Sequence, residues 1–410
     1  MTSNSAQTDA STLEQQLTQA YDLVDHAYTR ARDLVYHLHR QFPEDRDVRL
    51  LLAEVLLTLG DADTASTLCA SLLADAPPNE RIRVQELHEQ CEASAYLSPS
   101  FRDQLNGPHF GLEAHRRYSG RDVQRARRIV RELRKRMPLR GKRALDVGSS
   151  FGGMTIALAE QGADATGIEL AGHRFRVGQE RLRELGISAE WRQADICTPC
   201  LSDTLGQFDV IVCQDSLEHV LDPRAAIQNI GELLRPGGIV YISVPNKFGI
   251  RQILADDHWQ LPGITLLSRR QSIEYWMRVT GRPAGEYDIG FLPGEKFYRH
   301  SFRTWGVELD FCNKTAGIEG VKEYGRDVQR LREIARGDIH PALTPVLRER
   351  IRGRMQIVIR FYDAVLGQLE QIQHDRPDLM PALCTHIAQK LCHSVWWIVG
   401  RKKDIPQLQR

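Results

Sequence analysis

Between Arg143 and Tyr324, short and nearly continuous apolar runs alternate with amphipathic stretches. "RALDVG", "DATGIEL", "AEWRQAD", "FDVIVCQ" and "GIVYISVPN" read as buried strands, separated by segments such as "GGMTIALAEQG" and "AGHRFRVGQERLRELG" with helical spacing. Strands buried on both faces and joined by helices predict an α/β fold with a doubly wound, mostly parallel sheet. Upstream, residues 1–100 carry helical periodicity alone. Downstream of Gly325, "RDVQRLREIARG" and "LRERIRGRMQIVIRFYDAVLGQLEQIQ" predict helices to the end of the chain.

The spacing divides the chain into a helical region at 1–100, a basic connector at 101–141, the α/β domain at 142–325 and a helical region at 326–410. An insertion at about 248–298, after the fifth strand, falls where a lid over a substrate would lie. In the first region "ARDLVYHLHRQFPED" aligns with "ASTLCASLLADAPPN", matching Ala31 to Ala65, Leu38 to Leu72 and Pro43 to Pro77 at an offset of 34 residues. That period, with small residues Ala53 and Ala65 where paired helices approach, resembles the tetratricopeptide repeat family. "ERIRVQELHEQCEASAYL" follows as a capping helix. The resemblance implies a surface for a protein partner, and a plain helical bundle is the competing reading.

Residues 116–143 hold 13 Arg or Lys against two acids, Asp122 and Glu132. Ala126, Ile129, Val130, Leu133 and Met137 fall on one helical face, so the charges line the other. That face is either solvated or a polyanion site, and nearly no aromatic side chains interleave it for base stacking. Overall the chain has 410 residues and a net charge of +1, which gives no global attraction to nucleic acid or membrane. Its eight cysteines form no framework, so free thiols in a reducing cytoplasm are expected. "CTPC" (Cys197 to Cys200) has no second pair and no helical pattern after it, which argues against zinc or redox chemistry. The polar opening "MTSNSAQTDAS" has no leader pattern, and no apolar run approaches the roughly 20 residues of a membrane span. "SVWWIVGRKK" could at most touch a membrane interface through Trp396, Trp397, Arg401, Lys402 and Lys403, or pack its tryptophans on the last helix.

In doubly wound sheets ligands bind beyond the C-terminal strand ends, where Asp146, Glu169 and Asp195 are expected to lie. The first turn, Gly148-Ser-Ser-Phe-Gly152-Gly153, places Ser150 where a dinucleotide fingerprint needs glycine. The ordered set "LDVGSSFGG", "GIEL", "QADI", "FDVIVCQDSLEHVLDP", "LLRPGG" and "HSFRTWGVELDFCNKTAG" resembles the class I S-adenosylmethionine-dependent methyltransferases. It looks most like the small-molecule branch that includes the ubiquinone-biosynthesis enzymes. The resemblance covers about Lys142 to Tyr324 and departs at Ser150. It implies S-adenosyl-L-methionine as cofactor, with Asp146, Gly148, Ser150 and Gly152 at the methionine side and Glu169 and Leu170 at the ribose. It places Asp195 and Ile196 at the adenine, and Gln214 and Asp215 facing the sulfonium and the substrate.

A sulfonium is an activated methyl donor, so catalysis reduces to alignment and proton removal, and no metal centre is expected. Asp215, Glu218 and His219 are close in sequence, but helical geometry would face only some of them together. His219, in the loop after the fourth strand, is the first candidate base, followed by His258 and His300. Trp259, Tyr275, Trp276 and Tyr298 would give the lid an aromatic wall or simply fill the core. The absence of an Asn/Asp-Pro-Pro-aromatic pattern after "FDVIVCQ" argues against DNA-base methylation. The expected activity is O-methylation of a small molecule, sugar or glycan precursor. The alternatives are an RNA methyltransferase using the 116–143 face and a non-catalytic, repeat-containing binding module.

Overall fold

The computed structural model describes residues 13, 15–17, 19–20, 28–59, 61–94, 96–107, 118–313 and 318–404. The polar opening at 1–11, Arg116 and Arg117 of the basic stretch, and the chain end at 405–410 lie outside the described residues. The chain divides into two compact units. One comprises Met1–Glu132, Ser150–Ala157 and His173–Ser188, the other Leu133–Ser149, Leu158–Gly172 and Ala189–Arg410.

The first unit begins with four helices at Tyr28–Gln41, Arg46–Leu59, Ala62–Ala74 and Pro78–Ser94. Leu38, Leu51, Ala53, Ala65 and Leu72 are buried at their shared core, so the small residues do sit where helices approach closely. Asp61 caps the third helix by accepting from the Thr64 N–H at 3.2 Å. A buried ion pair organises the remainder of this unit. Arg181 is fully buried and grips Asp122 with both ends of its fork, Nη1 to Oδ2 at 2.6 Å and Nη2 to Oδ1 at 2.9 Å. It also donates to the carbonyls of Tyr96 and Phe151 and lies 3.8 Å over the Phe101 ring. A Cβ on Gly153 would come within 2.4 Å of the Asp122 carboxyl carbon, so packing alone requires that glycine. Several cations of the basic helix Asp122–Arg134 are engaged within the unit: Arg127 on Tyr96 and Arg128 on Glu89.

The second unit holds a seven-stranded sheet of order β3-β2-β1-β4-β5-β7-β6. Its strands are β1 Arg143–Val147, β2 Asp164–Glu169, β3 Glu190–Gln193, β4 Phe208–Gln214, β5 Leu234–Pro245, β6 Val307–Phe311 and β7 Val395–Lys402. β1 to β5 pair in parallel, and β7 is antiparallel to both its neighbours. This is the expected mostly parallel, doubly wound α/β arrangement. Two expectations are corrected. β3 lies at the sheet edge, and its four residues are exposed or half-buried rather than continuously apolar. The chain end is not helical throughout, because "VWWIVGRK" is inserted as β7 between β5 and β6.

Alternation along β7 sends Trp396 into the core and Trp397 to the surface, with exposures of 1% and 49%. Trp396 packs edge-on against Tyr298 and Phe311, and its Nε1 donates to the Gln389 carbonyl at 2.8 Å. Lys402 donates to the carbonyls of Gly231 and Leu234, and Lys403 pairs with Glu308. These cations therefore bind their own chain. No helix among the described residues is long and apolar enough to cross a membrane. Beyond β5, the helices Ile250–Leu254, Arg269–Thr280, Gly325–Arg336 and Pro345–Asp375 share one core. Tyr275 and Trp276 are fully buried there, and Tyr298 is buried under the sheet. The expected aromatic wall is therefore core at these three positions.

Trp396→Ala is expected to lower stability by about 3–5 kcal/mol, as a large aromatic truncated in a core does. Trp397→Ala is expected to stay within about 0.5 kcal/mol. Urea denaturation checks the pair; the reverse order would mean that β7 is shifted by one residue, which exchanges its faces.

Candidate functional site

Parallel pairing brings the C-terminal ends of β3, β2, β1 and β4 side by side. Asp146 pairs with Gly167 of β2 and Val212 of β4, and is 2% exposed. Glu169 ends β2, is buried, and accepts from the Ala171 N–H through Oε1 at 2.8 Å. Asp195 lies two residues beyond β3 and accepts from the Cys197 N–H through Oδ1 at 2.8 Å. Ile196 beside it is buried, and its carbonyl accepts from Asn229 Nδ2 at 2.6 Å. Asn229 also binds the Thr198 carbonyl, so one buried amide fixes the Asp195 turn. Sequence reading missed Asn229, since a lone amide on an amphipathic helix gives no signal. Leu170 is 60% exposed.

The turn after β1 has little freedom. Gly148 has φ +69°, and a Cβ there would lie 2.4 Å from Ser216 Oγ. The N–H groups of Gly148 and Ser149 both donate to the Ile168 carbonyl, at 2.9 and 3.0 Å. Those amides are consumed by β2, whereas a pyrophosphate at this place would need them bare. Ser150 and Gly152 belong to the first unit, with φ of 51° and 92°. Ser150 thus holds a left-handed conformation that glycine adopts without cost, so the departure noted at this position carries backbone strain.

Gln214 closes β4, and Asp215 follows with φ 49°. Ser243 of β5 holds it there: its Oγ accepts from the Asp215 N–H at 3.0 Å and donates to Asp215 Oδ1 at 2.6 Å. Residues 217–219 form a turn rather than the expected helical segment. That turn lets Glu218 and His219 face the same way, and potential ligand atoms of Glu218, His219 and His258 lie within 4.8 Å of one another. The expectation of no metal centre therefore meets a cluster with suitable donors, made by a turn and a distant histidine. Glu218 is 2% exposed and its Oε2 has no hydrogen-bond partner among the described residues. Burial, and then the neighbouring Asp215 charge, push its carboxyl well above the ordinary range. His219 is exposed, its ring lies 5.2 Å from that of His258, and its Nδ1 is 3.2 Å from the Asp288 carbonyl. A carbonyl only accepts, so in this geometry Nδ1 carries the proton and Nε2 keeps its lone pair. His300 sits exposed in the last turn of the helix Glu295–Arg303, and belongs neither to this cluster nor to the adjoining cavity.

That cavity, of about 500 Å3, opens beside His258. Phe248, Tyr287, Ile289 and Phe291 make up much of its apolar lining, and Lys247 and Arg354 bring charge to it. These residues were not legible as a site in the sequence, because they come from three separate segments. Cys197 and Cys200 take no part in it. A five-residue helix does follow them, at Leu201–Leu205, but burial and then Asp195 push the Cys197 thiol up to about 11, away from thiolate chemistry.

Residues 116–288 match the model of a methyltransferase domain, and residues 24–91 match a tetratricopeptide repeat model. Over 219 residues the chain is 37% identical to a ubiquinone biosynthesis O-methyltransferase of Methylococcus capsulatus, covering 52% of this chain and 82% of that one. The homologous enzyme of Xylella fastidiosa is 40% identical over 115 residues, 28% of this chain and 46% of its own length. Among solved structures, magnesium protoporphyrin IX methyltransferase of Synechocystis superposes with TM-score 0.37 and 16% identity, over 54% of this chain and 89% of that one. With the strand-end carboxylates in place and a relative matched over most of its length, the chain belongs to the S-adenosylmethionine-dependent methyltransferases.

Proposed function

We propose that the second unit binds S-adenosyl-L-methionine along the ends of β2, β1 and β4 and transfers its methyl group to a hydroxyl oxygen of a small molecule held in the cavity beside His258. The observation that carries this reading is the row of Asp146, Glu169 and Asp195 at or just beyond the ends of neighbouring strands. A carboxylate-lined edge suits a ribose, an adenine amino group and a sulfonium, and repels a pyrophosphate. Glu169, held by the Ala171 N–H at Oε1, is the acid that receives the ribose hydroxyls. Asp195 receives the adenine amino group, with Ile196 against the ring. Gly148, whose missing side chain leaves place for Ser216, turns the backbone beside the methionine portion, and Gln214 and Asp215 border the sulfonium. The relatives named as O-methyltransferases support oxygen as the acceptor. Apolar and aromatic walls favour an aromatic hydroxyl over a sugar or glycan precursor.

In the transfer an oxygen–methyl bond forms as the sulfur–methyl bond breaks, leaving a neutral thioether. Holding the two reactants in line can supply roughly 7–11 kcal/mol. The hydroxyl proton passes to His219 Nε2, whose partner nitrogen is anchored on the Asp288 carbonyl. A second reading rests on the unpartnered Glu218 Oε2. Glu218, His219 and His258 would hold a divalent cation, which would lower the pKa of a coordinated hydroxyl and neutralise the buried carboxylate. The tetratricopeptide-like helices support a protein partner for the first unit, and the arginines engaged within the protein leave the RNA reading with less support.

Glu169→Ala is expected to weaken S-adenosylmethionine binding by about 100-fold or more, since two hydrogen bonds to a carboxylate are lost, with the melting temperature preserved. Calorimetry checks it, and unchanged affinity would move the cofactor elsewhere. His219→Ala is expected to cut kcat by about 10²- to 10⁴-fold while the cofactor dissociation constant holds. Full turnover would remove it as the base.

Glu218→Gln separates the metal reading through pH. Below the ordinary carboxylate value of 4.5 both folded and unfolded states are protonated and Glu218 costs nothing. Above it the unfolded state ionises while the buried carboxyl keeps its proton, so stability falls as pH rises toward the elevated folded pKa. Glu218→Gln is expected to remove that fall and to melt higher than the wild type at pH 7. Magnesium or zinc at pH 8 should raise the wild-type melting temperature and not the variant's. Equal shifts in both would exclude Glu218 as a ligand.

A further inference from the structure

We propose that the acceptor substrate carries, besides its hydroxyl, an anionic group that is received by Lys247 and Arg354 in the cavity beside His258. This rests on the reading of that cavity as the acceptor site and names the class of molecule it takes: an aromatic acid, as carboxylate or phosphate.

Three cations line the cavity: Arg269 donates to the Ile289 carbonyl, while Lys247 just after β5 and Arg354 from the helix Pro345–Asp375 come together from distant segments. Among the described residues neither Lys247 nor Arg354 forms an ion pair. Arg354 spends part of its fork on the Leu266 carbonyl. Lys247 has only ring faces, its Nζ lying 5.1 Å from the Phe248 centroid and 5.6 Å from that of Phe291. Burial, and then the Arg354 charge, draw the lysine below its ordinary range, so the ammonium is held in a place that disfavours it. The acid of the cavity lining spends its carboxylate on the backbone. Asp256 accepts from the N–H groups of His258, Trp259 and Leu261 at 2.8 to 3.1 Å. A site with two unanswered cations, aromatic walls and a histidine at one side is complementary to a flat anion bearing a hydroxyl. A neutral acceptor would leave the like charges unrelieved, whereas an anion between them removes their repulsion and gains charge-assisted hydrogen bonds.

The full-length chain, without methyl donor, is titrated calorimetrically with 3,4-dihydroxybenzoate, phenyl phosphate and the neutral 3,4-dihydroxybenzamide. The expected result is that the better of the two anions binds at least about 10-fold tighter than the amide, the scale of one hydrogen bond to a charged group. Which anion binds tighter identifies it as carboxylate or phosphate. Lys247→Gln should cost that anion about 10-fold and the amide less than about 2-fold, and Lys247→Arg should restore the anion. The inference is overturned if acid and amide bind the wild type equally, if Lys247→Gln weakens both alike, or if neither anion binds. Because binding is read without the donor, failed methyl transfer does not touch the result. Methylation of the amide and the benzoate with equal kcat/KM would refute the anion and leave the proposed transfer standing.

Discussion

The parallel register of β3, β2, β1 and β4 is the constraint on which the site depends. β2, β1 and β4 are largely buried and carry Glu169, Asp146 and Gln214 at or next to their C-terminal residues, so pairing in register collects these polar side chains at one edge. Asp146 and Glu169 are nearly inaccessible there, a position that carboxylates tolerate only with partners that favour charge. The Ile168 carbonyl takes the first amides of the β1 turn, and Ser216 occupies the space over Gly148. What the edge offers a ligand is therefore carboxylate oxygen rather than bare amide, which sets the class of cofactor before any loop is considered.

Two buried charged groups show how differently the fold treats structure and site. Arg181 meets a bidentate carboxylate, two carbonyls and a ring, so its charge is fully answered and it serves as a fastener within the first unit. Removing one partner of such a pair would leave a charge stranded at a cost of about 3–5 kcal/mol. Glu218 has the opposite surroundings: buried, beside Asp215, with an oxygen that bonds nothing. Asp215 adds backbone strain by holding a positive φ. Strain and unsatisfied polarity gathered at one strand end are what a catalytic site is expected to retain against stability.

Most of the sheet was legible because strands buried on both faces write continuous apolar runs, and the repeats were legible through the spacing of Ala65, Leu72 and Pro77 with their counterparts. β7 was not. Its Val-Trp-Trp-Ile-Val run follows a long helical stretch, and nothing local tells that it crosses back between β5 and β6. Tyr275 and Trp276 looked suited to a lid because side-chain size carries no sign of burial. The candidate site was half visible: acids announced themselves at strand ends, and His219 by its loop. His258 joined it through tertiary folding, and Lys247 and Arg354 became neighbours the same way. Asp122 was read as a minority acid in a basic run, when its carboxylate explains why position 153 must be glycine.

The most direct measurement is a crystal structure of the protein soaked with S-adenosylhomocysteine. The ribose hydroxyls are expected within about 3 Å of the Glu169 carboxylate and the adenine amino group at the same range from Asp195, with the sulfur near Asp215. A nucleoside bound away from these strand ends, or the three acids closed against each other with no ligand between them, would contradict that placement.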